Sequence, residues 1–176
     1  GISGWIDDQL VAPATSFRAA LIADVTAFPN PPIAGTTQTV QFYSYSMNQN
    51  AAWWKIAATA PDQLRQRVAF ALSEILVIGA MADLDREPEA KTRYYDYLVN
   101  GAFGNFRTLL ENVSLSPVMG YWLSHWSNQK ADPVRGTSPD ENYAREIMQL
   151  FTIGLVQLQP DGTLVLGADG LPIPTY

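Results

Sequence analysis

Four polar residues on one side of a predicted helix have types and spacing suited to chemistry. They recur at three- and four-residue intervals and are Asn142, Arg145, Glu146 and Gln149. Side chains at these intervals stack on one helix face, so amide, guanidinium and carboxylate groups would lie side by side. Such groups bind metal ions or anions. The pattern indicates a candidate site on a helix predicted at 138–154.

A purely structural role for the same segment is the alternative. Glu141 and Arg145 stand at the i,i+4 spacing of a helix-stabilising ion pair. Ser138 and Glu141 also match the Ser-x-x-Glu capping box that begins many helices. We retain Glu141, Asn142, Arg145 and Glu146 as candidate catalytic residues, with an ion-pair network as the competing interpretation.

The only histidine, His125, lies between Trp122 and Trp126 and is a fifth candidate. A histidine can act as a general base or a metal ligand. The chain has no cysteine and no second histidine, so carboxylates would have to supply every other zinc ligand. A packing role for His125 is therefore favoured. Ser124 beside it cannot form a dyad, because neighbouring helical residues point about 100° apart.

Two other patterns suggest a binding site, but other features of the same residues disfavour it. The alternating acids of 83–89 resemble the start of a calcium loop, but Pro88 stands where a glycine is needed and Tyr94 where a glutamate is needed. We predict no metal and no cofactor. The four tryptophans Trp53, Trp54, Trp122 and Trp126 could form a sugar-binding platform, but their helical spacing is more typical of a core.

Composition excludes some classes of partner. The chain of 176 residues has a net charge of −6, and its eleven Lys and Arg are scattered, so a nucleic-acid surface is not expected. No run reaches the roughly 18 apolar residues of a membrane span. The first ten residues lack the pattern of a signal peptide. With 47% hydrophobic residues the chain is predicted to fold.

Hydrophobic periodicity and capping residues predict a mainly α fold, an irregular domain of six or seven helices. The predicted helices cover 3–10, 16–25, 62–78, 90–99, 105–114, a segment from Ser116-Pro117, and 138–154. The 62–78 helix is apolar all round in its second half and is expected to be central. Prolines predict a loop at 28–35, and the segment 36–46 is ambiguous. Asn48 or Asn50 could cap a further helix carrying Trp53.

A short β-hairpin is predicted near the C-terminal end. Val156 and Leu158 alternate with polar residues, Asp161-Gly162 forms a turn, and alternation resumes after it. We expect one helical domain over 1–176. Both ends resemble cut points rather than closing elements, so we expect a fragment of a longer chain.

Three segments resemble the bacterial family known as domain of unknown function 1800 (DUF1800). They are RVAFALSEILV, GNFRTLLENVSLSPVMGYWLSHWSNQKADP and PDENYAREIMQLFTIGL. Family members carry the signature N-E-N-[FY]-A-R-E-[LIV]-M-[EQ]-L-F-[ST]-[LI]-G. This chain differs at the first position, where Asp140 replaces the common asparagine. Many members have a tryptophan-histidine motif where this chain has the histidine-free run 70–74.

The resemblance implies a longer, largely helical bacterial protein that is exported to the periplasm or beyond. It also implies a neighbouring gene for an exported phosphatase- or sulfatase-like protein. We therefore expect a binding or scaffold module for an envelope or secreted partner. Candidate partners are that phosphatase- or sulfatase-like protein and the remaining segments of the full-length chain. The alternative is a hydrolase-type enzyme whose carboxylate and arginine site on the 138–154 helix is completed by segments missing from this chain.

Overall fold

The computed structural model describes residues 1–27, 41–79, 81 and 83–175, and the side chains of 41–46 lie outside that description. Two compact units are present, Gly1–Trp122 and Leu123–Tyr176. The single domain over 1–176 stays a prediction. The loop predicted at 28–35 lies outside the described residues.

The chain is mainly helical, as predicted, with eight α-helices among the described residues. The first unit contains α1 Ile2–Val11, α2 Phe17–Ala27, α3 Gln41–Thr59, α4 Gln63–Ser73, α5 Pro88–Gly101, α6 Phe106–Ser114 and α7 Pro117–Trp122, and the second contains α8 Asn142–Met148. A 3₁₀ turn, Leu84–Arg86, precedes α5. No helix in the described part of the chain is long and apolar enough to cross a membrane.

Helix α5 is the centre of the first unit. Proline is the first residue of this helix. The N–H at that position has no acceptor within a helix, so the absence of an N–H in proline costs no hydrogen bond. The helix packs against α2, α3, α4, α6 and α7. Its buried side includes Tyr94 and Leu98, and the Tyr94 hydroxyl donates to the Leu76 carbonyl at 2.6 Å.

The prediction that 62–78 forms the central helix is wrong. Helix α4 ends at Ser73, because Glu74 and Ile75 donate to carbonyls three residues back and close a turn. Phe70 and Val77 are 45% and 44% exposed, so the apolar second half of this segment is not packed all round. Helix α3 begins at Gln41, so neither Asn48 nor Asn50 caps it.

Two carboxylates tie the 12–16 loop to the helices. Asp62, fully buried, accepts hydrogen bonds from Thr15 N at 2.9 Å and Thr15 Oγ1 at 2.6 Å. Asp96, on α5, accepts from Ser16 Oγ and Phe17 N, both at 2.6 Å. Asp96 thereby caps the N-terminus of α2 from another helix, where a negative charge is favourable.

The helix predicted at 138–154 is shorter, spanning Asn142–Met148, and the Ser138–Glu141 capping box is absent. The Asp140 carboxylate takes the capping role instead, accepting from Asn142 N at 2.8 Å. Gln149, at φ −118° and ψ −95°, ends the helix. The Gly154 N–H then closes a turn onto the Gln149 carbonyl at 2.8 Å, at a positive φ of 73° that favours glycine.

The predicted β-hairpin is not supported, because the described residues contain isolated bridges and no strand. Antiparallel bridges join Val156 to Pro174, Leu158 to Leu164 and Leu166 to Pro172. Each bridge ends after one pair, since turns at 160–163 and 168–171 and two prolines interrupt the ladder. The result is a ring of three short segments that pair with one another at a spacing of eight residues.

Candidate functional site

The candidate residues of α8 lie at its first turns and are mostly exposed. Glu141 occupies the N-cap position, and its carboxylate forms an ion pair with Arg145. The two side chains are 75% and 52% exposed. An exposed pair of this kind contributes only about 0.2–0.5 kcal/mol to helix stability. The arginine is thus already partnered.

Asn128 positions the start of α8 from the preceding loop. Its side-chain amide donates to the Asp140 carbonyl at 2.6 Å, and its side-chain oxygen accepts from Asp140 N at 2.9 Å. Asp140 is the position that departs from the family signature, and an asparagine there would offer a similar oxygen acceptor to Asn142 N. The role of Asn128 could not be predicted from the sequence, because its partner is twelve residues away and no local motif marks it.

An open depression lies at the same place. Its lining residues are Ser138, Pro139, Asp140, Glu141 and Asn142. Arg145, Glu146 and His125 do not line it, so only two of the five candidate catalytic residues, Glu141 and Asn142, border this depression. Within the described parts of the chain, no group of three or more His, Asp or Glu could hold a metal ion.

The structure brings His125 to the first turn of α8. Its imidazole lies against the Tyr143 ring, with centroids 4.1 Å apart and planes inclined by 35°. The contact covers one face of the imidazole with an aromatic ring. This arrangement suits packing more than proton transfer to a ligand.

The C-terminal ring of segments carries an exposed apolar surface. We call Leu158, Leu164 and Leu166 the leucine surface; they are 57%, 50% and 55% exposed. Leu158 and Leu164 are directly opposed on one bridge, so their side chains lie on one side of the pairing. Leu166 follows two residues after Leu164, and alternation places it on that side too.

No basic residue follows Arg145, and the only charged residues after Glu146 are Asp161 and Asp169. Both acids lie in turns, where their carboxylates accept backbone N–H groups of Thr163 and Leu171. The leucine surface therefore has an almost uncharged surrounding sequence. The eight-residue repeat of Asp-Gly is the sequence signal that could have revealed the three-segment ring.

Comparison with known proteins gives one result. A family model described as "Protein of unknown function (DUF1800)" matches residues 1–164. The chain has no match among the curated proteins or the solved structures.

Proposed function

The chain belongs to the DUF1800 family, whose function is unknown, and we propose that it is an exported bacterial module that binds a partner protein through the leucine surface. The observation that carries the proposal is the exposure of Leu158, Leu164 and Leu166 on one side of a paired ring. Clustered exposed apolar side chains mark interaction sites far more often than scattered ones do.

The neighbourhood of the leucine surface supports a protein partner. Among the described residues that follow Met148, four further large apolar residues are at least half exposed: Leu150, Ile153, Leu155 and Leu171. The core of a protein interface is depleted in charged residues. The segment that follows Glu146 is depleted in the same way, since Asp161 and Asp169 are its only charged residues. A partner without a strongly basic or acidic surface would fit it.

The partner we propose is an exported phosphatase- or sulfatase-like protein encoded beside the gene. The test is calorimetric titration of that protein with the chain and with the triple variant L158S/L164S/L166S. The matched control is V134S, since Val134 is 96% exposed in the same unit but outside the leucine surface. We expect the triple variant to lose binding and V134S to retain it. Equal binding by all three proteins would refute the proposal, and so would the absence of binding by the unsubstituted chain. The second occupant that we propose for the leucine surface is the remainder of a longer chain to which these 176 residues would belong.

A hydrolytic enzyme is the second candidate function. The observation that favours it is the open depression bordered by Glu141 and Asn142. The discriminating test is hydrolysis of phosphate, sulfate and carboxylate esters of nitrophenol by the chain and by E141Q. Hydrolysis that E141Q abolishes would support the enzyme, and hydrolysis absent from the chain, or unchanged in E141Q, would count against this site.

A further inference from the structure

A cavity of about 290 Å³ lies within the first unit, between α3 and α5 and beside the end of α4. Its polar and aromatic lining residues include Gln49, Asn50, Trp53, Glu74, Lys91 and Tyr95. It is unrelated to the leucine surface and to α8. The volume is at the lower end for ligand pockets, which suits one small molecule rather than a peptide.

Helices α3 and α5 each contribute polar and aromatic side chains to the lining of the cavity. On α3, the carboxamides of Gln49 and Asn50 stand one turn before Trp53, and on α5 Lys91 stands one turn before Tyr95. Residues at this spacing share a helix face. The cavity therefore has amide groups near one aromatic ring and an ammonium group near another.

The aromatic walls are fixed by their neighbours. The Tyr95 ring packs edge-on against Phe17, with centroids 5.5 Å apart. Trp53 contacts Phe70, at 6.0 Å between centroids. Fixed rings require no ordering when a ligand binds.

The lining carries two charged side chains, and one of them is already paired. Lys91 Nζ is 2.9 Å from Asp85 Oδ1, so its charge is already paired. Glu74 is exposed and supplies one carboxylate. Amides, one carboxylate and one paired ammonium offer both donors and acceptors, which match the hydroxyl groups of a neutral ligand. Aromatic rings cover the apolar C–H face of such a ligand.

From this arrangement we infer that the cavity binds a small neutral polyhydroxylated molecule of monosaccharide size, with Trp53 against its apolar face and Asn50 bonded to its hydroxyls. This inference is independent of the proposed protein partner, because the residues involved lie in the other unit.

The test is saturation-transfer NMR and calorimetry of the 176-residue chain with D-glucose, D-galactose and N-acetyl-D-glucosamine, and with glycine as a zwitterionic probe. The variants are W53A and N50A, and the matched control is W54A, because Trp54 is 67% exposed and does not line the cavity. We expect one sugar to bind the unsubstituted chain and W54A equally, and to bind W53A and N50A about tenfold or more weakly.

Asn50 is exposed, so N50A is expected to fold even if W53A does not. Circular dichroism of each variant checks this. Absence of saturable binding by every sugar would overturn the inference. Binding of glycine alone would overturn it too, as would sugar binding by N50A equal to that of W54A.

Discussion

The imidazole of His125 and the phenol ring of Tyr143 lie 4.1 Å apart between centroids. This contact joins the loop that carries the only histidine to the first turn of α8. Aromatic contacts of this type contribute about 0.5–1.5 kcal/mol beyond the area they bury. We expect H125A to lower the free energy of unfolding of the second unit by about that amount, and H125F to lower it less, since a ring remains. Urea denaturation followed by NMR signals of this unit measures both, and equal losses would contradict the packing role.

Gly79 lies directly against the Trp122 ring. A Cβ added at Gly79 would be 2.2 Å from Trp122 Cη2. We expect G79A to destabilise the first unit by about 1–3 kcal/mol, because the ring must move. The control is G104A, whose added Cβ has its nearest neighbour at an ordinary 3.5 Å. Thermal denaturation is expected to show a large decrease in melting temperature for G79A and a small decrease for G104A. A larger decrease for G104A would be inconsistent with this packing.

Asp62 makes stability depend on pH. Burial raises the pKa of its carboxyl, but hydrogen bonds from Thr15 and Gln66 outweigh burial and bring the pKa below the ordinary 3.8. Since the folded-state pKa is depressed, the stabilisation is present above 3.8 and is lost as the pH falls through the folded value. We expect D62A to cost about 1–3 kcal/mol at neutral pH, and less as the pH falls below 3.8. Urea unfolding across acidic pH tests this, and a pH-independent difference would refute it.

Asp96 is expected to matter more than Glu89, although both contact the start of α2. Asp96 bonds Phe17 N and Ser16 Oγ, whereas Glu89 forms an exposed ion pair with Arg18. We expect D96A to lower the free energy of unfolding by about 1–2 kcal/mol, as the loss of a helix cap does. E89Q should change it by less than about 1 kcal/mol. Chemical denaturation compares them, and a larger loss from E89Q would invalidate the capping assignment.

Local signals predicted several helix starts correctly. Pro117 begins α7, and Asn105 caps α6 by accepting from the N–H groups of Arg107 and Thr108. The start of α5 was predicted two residues late, at residue 90, because Pro88 is its first residue. These signals act within one turn, so a sequence carries them in full. The overall helical character followed from such local patterns, whereas the family was identified from the resemblance of three sequence segments to DUF1800.

The start of α8 could not be predicted in the same way. Ser138 and Glu141 have the spacing of a capping box, but Asn128 binds the backbone of Asp140 and the Asp140 side chain caps the helix. A contact twelve residues away thus replaced a local one. The same distinction holds for the candidate site. The spacing of Glu141 and Arg145 predicted their ion pair. The leucine surface was not predicted, because it depends on which segments pair and alternation alone does not specify that pairing.

We propose that the leucine surface contacts a partner protein. The most direct measurement is site-specific photo-crosslinking in living bacteria, with a photoreactive phenylalanine analogue replacing Leu164 in one strain and Val134 in another. We expect one defined crosslinked protein from position 164 and none from position 134, although Val134 is the more exposed. No product from position 164, or the same products from both positions, would contradict it.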